Sequence, residues 1–490
     1  MNAFSRRGAC PALSAPMQTG DGLLARLNPV AGGMSPKLLI GLGESALRHG
    51  NGIMEVTARG SLQIRGLTAE SARLLAAEVD ALGIAVRSGV PVEIGPLAGL
   101  DPREIADPRP LAERIRVAID EAGLTQRLGP KVSVVVDGGG QLTMDAMTAD
   151  VRLKAVPATA GVRWSVSVAG DGRSARPLAV VDEDAARDIT VATLRMVAEK
   201  GREAHTRDLS DRQLASLAGW HSFAPPSVLP DISPTRGEIA LSPAVSPITN
   251  AEGDEAAPKL PISPQVGEMS GRTEGGAVER HGSPIGLFDM ISGHALGIGL
   301  PFGSMPAPNL IDLAQHALAL GATEIRLAPG RALLFLGLIP SACSSLQNSA
   351  ATLGFVTDAA DSRTRIAACP GMPACASGRI ATRDIAEAIA AQDGDLLDTS
   401  LSLHISGCAK GCAHPGSAAL TLVGDENGAG LVVNATAKAL PAGYRPGYDA
   451  ARGIGGILAA LREQRLQGET AAACLTRLGA TGIAEIYRQE

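Results

Sequence analysis

The stretch Asn309-Leu-Ile-Asp-Leu-Ala-Gln-His-Ala-Leu-Ala-Leu-Gly321, followed by Thr323-Glu-Ile-Arg-Leu327 and Ala332-Leu-Leu-Phe-Leu336, spells out one structural unit. Leu310, Leu313, Ala317 and Leu318 fall at helical spacing, with Asn309 placed to cap the first turn and Gly321 to end the helix. The two apolar runs predict paired strands, and Ser341 is placed to cap a further helix that stops before Gly354. The same grammar occurs upstream. There a strand over 22–27 leads to a helix near 36–49, then to paired strands over 53–58 and 61–66. A helix capped by Thr68 follows, with Gly83 just past its end. Gly66-Leu67 and Gly337-Leu338 close the two hairpins alike. Both copies read β-α-β-β-α, so two half-units are expected to complete each other's sheet about a pseudo-twofold axis.

Working outward, each half-unit precedes a larger α/β segment. The first is predicted to hold helices at 110–121 and 184–199 and strands at 131–136 and 163–169. The second is predicted to hold a strand at 419–423 and helices at 454–467 and 470–478. Between them lies a stretch with 10 of the chain's 32 prolines in 60 residues and no aromatic side chain. It also carries a near-duplicate, Leu229-Pro-Asp-Ile-Ser-Pro against Leu260-Pro-Ile-Ser-Pro. Such composition buries too little apolar surface to offset ordering entropy and predicts a disordered linker. The fold class is α/β with α+β character, divided as 1–88, 89–224, 225–284 (linker), 285–360 and 361–490.

The 490 residues carry a net charge of −6 and only six Phe, three Tyr and two Trp, so cores must be built from aliphatic side chains. A mild acidic balance with few aromatic platforms argues against a nucleic-acid partner. No apolar run approaches the ~18 residues that span a bilayer, so no membrane partner is expected. Arg6-Arg7 is followed by Pro11, Pro16, Gly20 and Gly22, which break the apolar region an export signal needs. Seven cysteines, an odd and uneven set, fit one metal or cluster site in a cytoplasmic protein better than a disulfide framework.

Four of those cysteines carry chemistry. Cys369-Pro-Gly-Met-Pro-Ala-Cys375 and Gly407-Cys408-Ala-Lys-Gly-Cys412 supply the four thiolates of a [4Fe–4S] cluster. The surrounding glycines and prolines suit a tight loop, and Cys408 and Cys412, if helical, stand one turn apart. A structural zinc site or unrelated buried thiols are the other readings, although zinc prefers shorter gaps between its cysteines. Cys343 and Cys474 read as core thiols and Cys10 as structural. Gly41-Leu-Gly43, Gly138-Gly-Gly140 and Gly453-Ile-Gly-Gly456 do not complete a dinucleotide fingerprint. Electrons therefore are expected from a separate donor.

This spacing, after a duplicated half-unit, resembles the sulfite and nitrite reductase superfamily, with its ferredoxin-like half-units and larger α/β segments. The resemblance implies that Cys412 sits at the position bridging cluster and sirohaem in those reductases. Val56-Thr-Ala-Arg59-Gly-Ser-Leu-Gln63 resembles the T-x-R-x-x-x-Q tetrapyrrole motif, which implies that Arg59 holds a macrocycle carboxylate. Leu128-Gly-Pro-Lys131-Val-Ser133 resembles the substrate-facing K-x-K, but Ser133 replaces the second lysine. Ala419 likewise stands where the reductases have an acidic residue. Both departures point away from an oxyanion reductase.

One branch, the precorrin-3B synthases, is more similar. Its opening is matched by Arg7-Gly-Ala-Cys10-Pro11 and Pro16-Met-Gln-Thr19-Gly20-Asp21-Gly22-Leu23-Leu24-Ala25-Arg26. Pro96-Leu-Ala-Gly-Leu-Asp101-Pro102 and Cys408-Ala-Lys-Gly-Cys412-Ala-His414-Pro415 look like that branch too. The resemblance implies an O2-dependent monooxygenase that hydroxylates precorrin-3A at C20 with γ-lactone formation. It implies a [4Fe–4S] cluster, a mononuclear non-haem iron and no sirohaem. Arg59, Arg65 and Lys131 are then expected to meet substrate carboxylates, with Lys410 near the cluster. His404 and His414 flank the cysteine loop without an evident ligand spacing. The alternatives are a sirohaem-dependent reductase and a non-enzymatic electron-transfer module.

Overall fold

The computed structural model describes residues 11–218 apart from 31 and 160, two short strands inside the linker, and residues 282–489. Apart from these strands and residues 282–284, the expected linker lies outside the described residues, as does Cys10.

The first half-unit comprises β1 (Met17–Thr19), β2 (Gly22–Leu27), β3 (Gly33–Met34), α1 (Pro36–His49), β4 (Ile53–Val56), β5 (Leu62–Leu67) and α2 (Ala69–Ala81). Helix α1 begins where Ser35 accepts the Leu38 amide, with Pro36 in its first turn. Helix α2 begins at a reciprocal cap between Thr68 and Ser71. The α/β segment that follows holds β6 (Val92–Ile94), α3 (Arg109–Glu121), β7 (Val134–Asp137), β8 (Ala149–Ala158), β9 (Gly161–Gly170), β10 (Arg176–Val181), α4 (Glu183–Lys200) and α5 (Asp211–Ala218). The linker strands β11 (Ile232–Ser233) and β12 (Glu238–Ile239) form a two-stranded antiparallel pair.

The second half-unit comprises β13 (Gly286–Asp289), β14 (His294–Gly299), β15 (Ser304–Pro306), α6 (Ala307–Ala319), β16 (Glu324–Ala328), β17 (Ala332–Leu338) and α7 (Pro340–Thr352). Its helix starts two residues before the expected cap. Pro308 occupies the first turn, and the Asn309 amide instead reaches Leu353 O at 3.0 Å. Nor does the Ser341 side chain cap α7, whose N-cap position is held by Ile339. The last segment holds β18 (Ile366–Ala368), α8 (Thr382–Asp393), β19 (Leu403–Ser406), β20 (Ala418–Asp425), β21 (Gly428–Ala435), β22 (Gly443–Arg445), α9 (Ala450–Gln464) and α10 (Ala471–Arg488).

The two half-units exchange edge strands. One sheet runs β1-β2-β5-β4-β15 and the other β13-β14-β17-β16-β3, so each borrows a short strand from the opposite copy. Helices α1 and α6 pack together, and a single apolar core joins Leu27, Leu42 and Ile64 of one copy to Leu313, Phe335 and Leu346 of the other. The two α/β segments repeat as well. Each sheet, β6 to β10 and β18 to β22, has three parallel strands followed by two antiparallel ones. Each has its own core, centred on residues such as Val134 and Leu153 in one and Ile405 and Leu422 in the other. Among the described residues no helix is long and apolar enough to cross a membrane.

Candidate functional site

Parallel pairing delivers the cysteines to one edge. Strand β18 runs straight into Cys369 and its neighbour β19 into Gly407 and Cys408, so both cysteine loops leave the same ends of adjacent strands. The segment from Cys408 to Cys412 is a turn rather than the helix that its spacing allowed. Gly411 adopts a left-handed φ of +62°, which a helix does not accommodate.

Backbone amides organise the loops around sulfur. Gly407 N donates to Cys369 Sγ at 3.2 Å, and Arg379 N donates to Gly407 O at 2.8 Å. Within the first loop Cys375 N donates to Gly371 O and Gly378 N to Cys375 O, at 2.7 and 2.9 Å. Lys410 Nζ donates to Ser377 Oγ at 2.8 Å, tying the second loop to the first. A Cβ on Gly407 would stand 3.1 Å from Gly378 Cα, 3.2 Å from Gly371 Cα and 3.6 Å from Cys369 Sγ. The loops thus close on a cradle that only bare backbone can line. Burial and then the neighbouring Cys369, Cys408 and Cys375 push the Cys412 thiol up, so this sulfur lies within electrostatic reach of the other three.

These residues fit a cluster. Among the described residues no three Cys, His, Asp or Glu side chains close tightly enough for a single metal ion. A cube of four irons asks for wider spacing, because each thiolate binds a different iron. Cys412 is the exposed member of the set and Cys369 the buried one. By the same measure the mononuclear iron implied by the resemblance finds no three-ligand set among the described residues.

A second element holds the first loop from across the chain. Arg65, 3 % exposed on β5, donates from Nε and Nη2 to Asp21 at 3.0 Å each and from Nη1 to Glu55 at 3.4 Å. Its Nη2 also donates to Ala374 O at 2.5 Å, the carbonyl next to Cys375. Gly20 N reaches the same carbonyl at 3.2 Å, and a Cβ on Gly20 would lie 2.4 Å from Pro373 O. Glu55 in turn takes Arg383 Nη2 at 2.5 Å. Burial opposes the charges of Asp21 and Arg65, but their pairing prevails: the Asp21 carboxyl is held below its ordinary value and the Arg65 guanidinium above it. All three nitrogens of Arg65 are therefore engaged within the protein.

The other expected cations lie differently. Arg59 sits at the exposed tip between β4 and β5 and donates to Thr148 O and Oγ1 at 2.8 and 3.0 Å. Lys131 is exposed just before β7, outside the strand expected to contain it. Cys343 and Cys474 are buried in their cores as thiols.

The sequence reading missed Arg331. It lies at the tip between β16 and β17, with a left-handed φ of +67°, and Nη2 donates to Ala413 O, beside Cys412, at 2.9 Å. Below that loop His404, on β19, is 0 % exposed and neither ring nitrogen has a hydrogen-bond partner. Burial, with His414 and Arg331 nearby, pushes its pKa down to about 4. Its ring stands edge-on to that of His414, centroids 5.7 Å apart. The signal in the sequence is an arginine at the place where the first hairpin tip has Gly60, visible only once the two ladders are in register.

Residues 15–82 match the family of the nitrite/sulfite reductase ferredoxin-like half domain. The structure of the Mycobacterium tuberculosis NirA protein superposes with a TM-score of 0.66, covering 94 % of this chain and 84 % of that one at 16 % identity, which shows a shared fold. A precorrin-3B synthase from Sinorhizobium sp is 38 % identical over 99 % of this chain and 96 % of its own length. With likeness of that extent at nearly full length, the chain belongs to the precorrin-3B synthase family.

Proposed function

We propose that the protein is an iron–sulfur monooxygenase that converts precorrin-3A to precorrin-3B, hydroxylating C20 and closing the γ-lactone from a ring-A acetate. The observation that carries this reading is the convergence of Cys369, Cys375, Cys408 and Cys412 in a glycine-lined cradle, in a chain with a precorrin-3B synthase relative at nearly full length. A monooxygenase step places one atom of O2 in the substrate and releases the other as water, consuming two electrons and two protons. A bound [4Fe–4S] cluster supplies electrons one at a time from a separate donor.

The chain's own residues do the remaining work. Arg59, exposed at its hairpin tip with Nη2 on Thr148, and Lys131, exposed before β7, stand at the surface to meet carboxylates of the macrocycle. Arg65 acts through Ala374 O, fixing the loop that presents Cys375. Lys410 closes the second cysteine loop on Ser377 and leaves Cys412 facing open space. Ser133, buried in place of a second lysine, keeps the cationic surface thinner than an oxyanion reductase requires. Anaerobic purification tests the cofactor part: the visible spectrum is expected to show a broad iron–sulfur shoulder. Extractable sirohaem with its sharp bands would overturn the monooxygenase reading.

A further inference from the structure

The two half-units meet at their hairpin tips, where Gly330 N donates to Ala58 O at 2.9 Å. In register, Thr57 and Ser61 of the first ladder correspond to Ala328 and Ala332 of the second, so each tip has three residues. Ala58-Arg59-Gly60 matches Pro329-Gly330-Arg331. Gly60, with φ +74°, and Arg331, with φ +67°, occupy the same left-handed position. A side chain there is disfavoured, and its presence asks for a reason.

The surroundings supply one. Arg331 is mostly enclosed, yet Ala413 O is the one protein acceptor that its guanidinium reaches among the described residues. Among the described residues no carboxylate pairs with it, and the charged neighbour it feels is another cation, Arg383. An arginine so placed, with one carbonyl as protein acceptor and a cation as charged neighbour, is suited to take an anion. His404 lies within electrostatic reach, fully buried with both nitrogens unpartnered, a second polar group beside this arginine that the described residues leave unsatisfied. Arg59 makes the corresponding contact in the other half, donating to Thr148 O just ahead of β8, as Arg331 donates to Ala413 O ahead of β20. The two arginines therefore flank the joined tips as a pair.

We infer that Arg331, with His404 beneath it, forms a recess beside Cys412 that binds a carboxylate side chain of the tetrapyrrole, the counterpart in the second half-unit of the anchor at Arg59. This rests on the reading of the substrate given above. Its consequence is that the macrocycle is gripped from both half-units, with one acid arm drawn to the exposed cysteine.

The test uses full-length protein with its cluster reconstituted anaerobically. Wild type, Arg331→Gln, Arg331→Gly and His404→Phe are each titrated with uroporphyrin III, a tetrapyrrole bearing eight carboxylates, and binding is read from its fluorescence. The cluster's midpoint potential is measured on the same samples. Both arginine variants are expected to bind at least ~10-fold more weakly, and His404→Phe several-fold more weakly, with the potential unchanged. Arg331→Gly restores the residue that the other tip uses and should melt no lower than wild type, so weak binding there is not misfolding. Undiminished affinity in both arginine variants would overturn the recess. A shifted potential with unchanged affinity would also overturn it, assigning Arg331 to the cluster's charge. Wild-type protein that binds no macrocycle would overturn the substrate reading together with the recess.

Discussion

Arg65 and Ala374 meet across 309 positions of sequence, the guanidinium Nη2 donating to the carbonyl at 2.5 Å. That single bond joins a strand of the first half-unit to the loop carrying Cys375. The same guanidinium also pairs with Asp21 and Glu55. A motif at the start of the chain, Thr19-Gly20-Asp21-Gly22, thereby becomes part of the cysteine site near its end.

Replacing Arg65 by Met should leave Asp21 and Glu55 without their shared partner. Breaking a buried pair in this way costs about 3–5 kcal/mol. Thermal unfolding should therefore shift down by several degrees, and iron content should fall as the Cys375 loop loosens. An unchanged melting temperature with full iron would show that the brace carries no strain-bearing role.

Gly407→Ala is expected to act on the cluster with little effect elsewhere. Its methyl group would press on the backbone of Gly371 and Gly378 beside Cys369. Iron and sulfide per chain should drop well below wild type while far-ultraviolet dichroism stays the same. The half-unit core, which contains none of the four cysteines, keeps its packing.

Arg59→Ala should weaken substrate binding by about 10-fold, or ~1.4 kcal/mol, the cost of one charge-assisted carboxylate contact. Cluster content should not change, because Arg59 touches Thr148 and none of the cysteine loops. Binding titrations beside iron analysis distinguish this from a general loss of structure.

Glu104 gives the pH dependence. Burial, set against the Gly99 amide it accepts, raises its pKa to about 7, with Asp107 and Asp101 adding to the rise. A carboxyl with a raised native pKa favours folding below its ordinary value of 4.5 and loses that contribution as pH climbs toward 7. The full shift corresponds to ~3 kcal/mol, which partial exposure reduces to about 1–2 kcal/mol. Glu104→Gln should accordingly raise the melting temperature at pH 8 and leave it nearly unchanged at pH 4.

What could be read from residues alone follows a physical divide. Helix α1 was legible over its full length, because Ser35, Pro36 and the terminal Arg48-His49 mark its ends locally. Asn309 misled, since a proline in the first turn starts a helix as effectively as a polar cap, and the asparagine amide had a tertiary acceptor in Leu353 O. The exchanged strands β3 and β15 span two and three residues, too short for any periodicity to show. The four cysteines announced themselves by spacing. Arg65 and Arg331 did not declare their roles, because a charge is assigned by the partners that folding brings to it: Asp21 and Glu55 in one case, a bare carbonyl in the other.

The most direct measurement is a single turnover of the reconstituted, reduced protein with precorrin-3A under 18O2. The product is expected to carry one labelled oxygen, and Cys375→Ala protein, lacking the cluster, is expected to form none. Product whose added oxygen comes from water, or undiminished conversion by Cys375→Ala, would contradict an oxygen-dependent hydroxylation supported by these four cysteines.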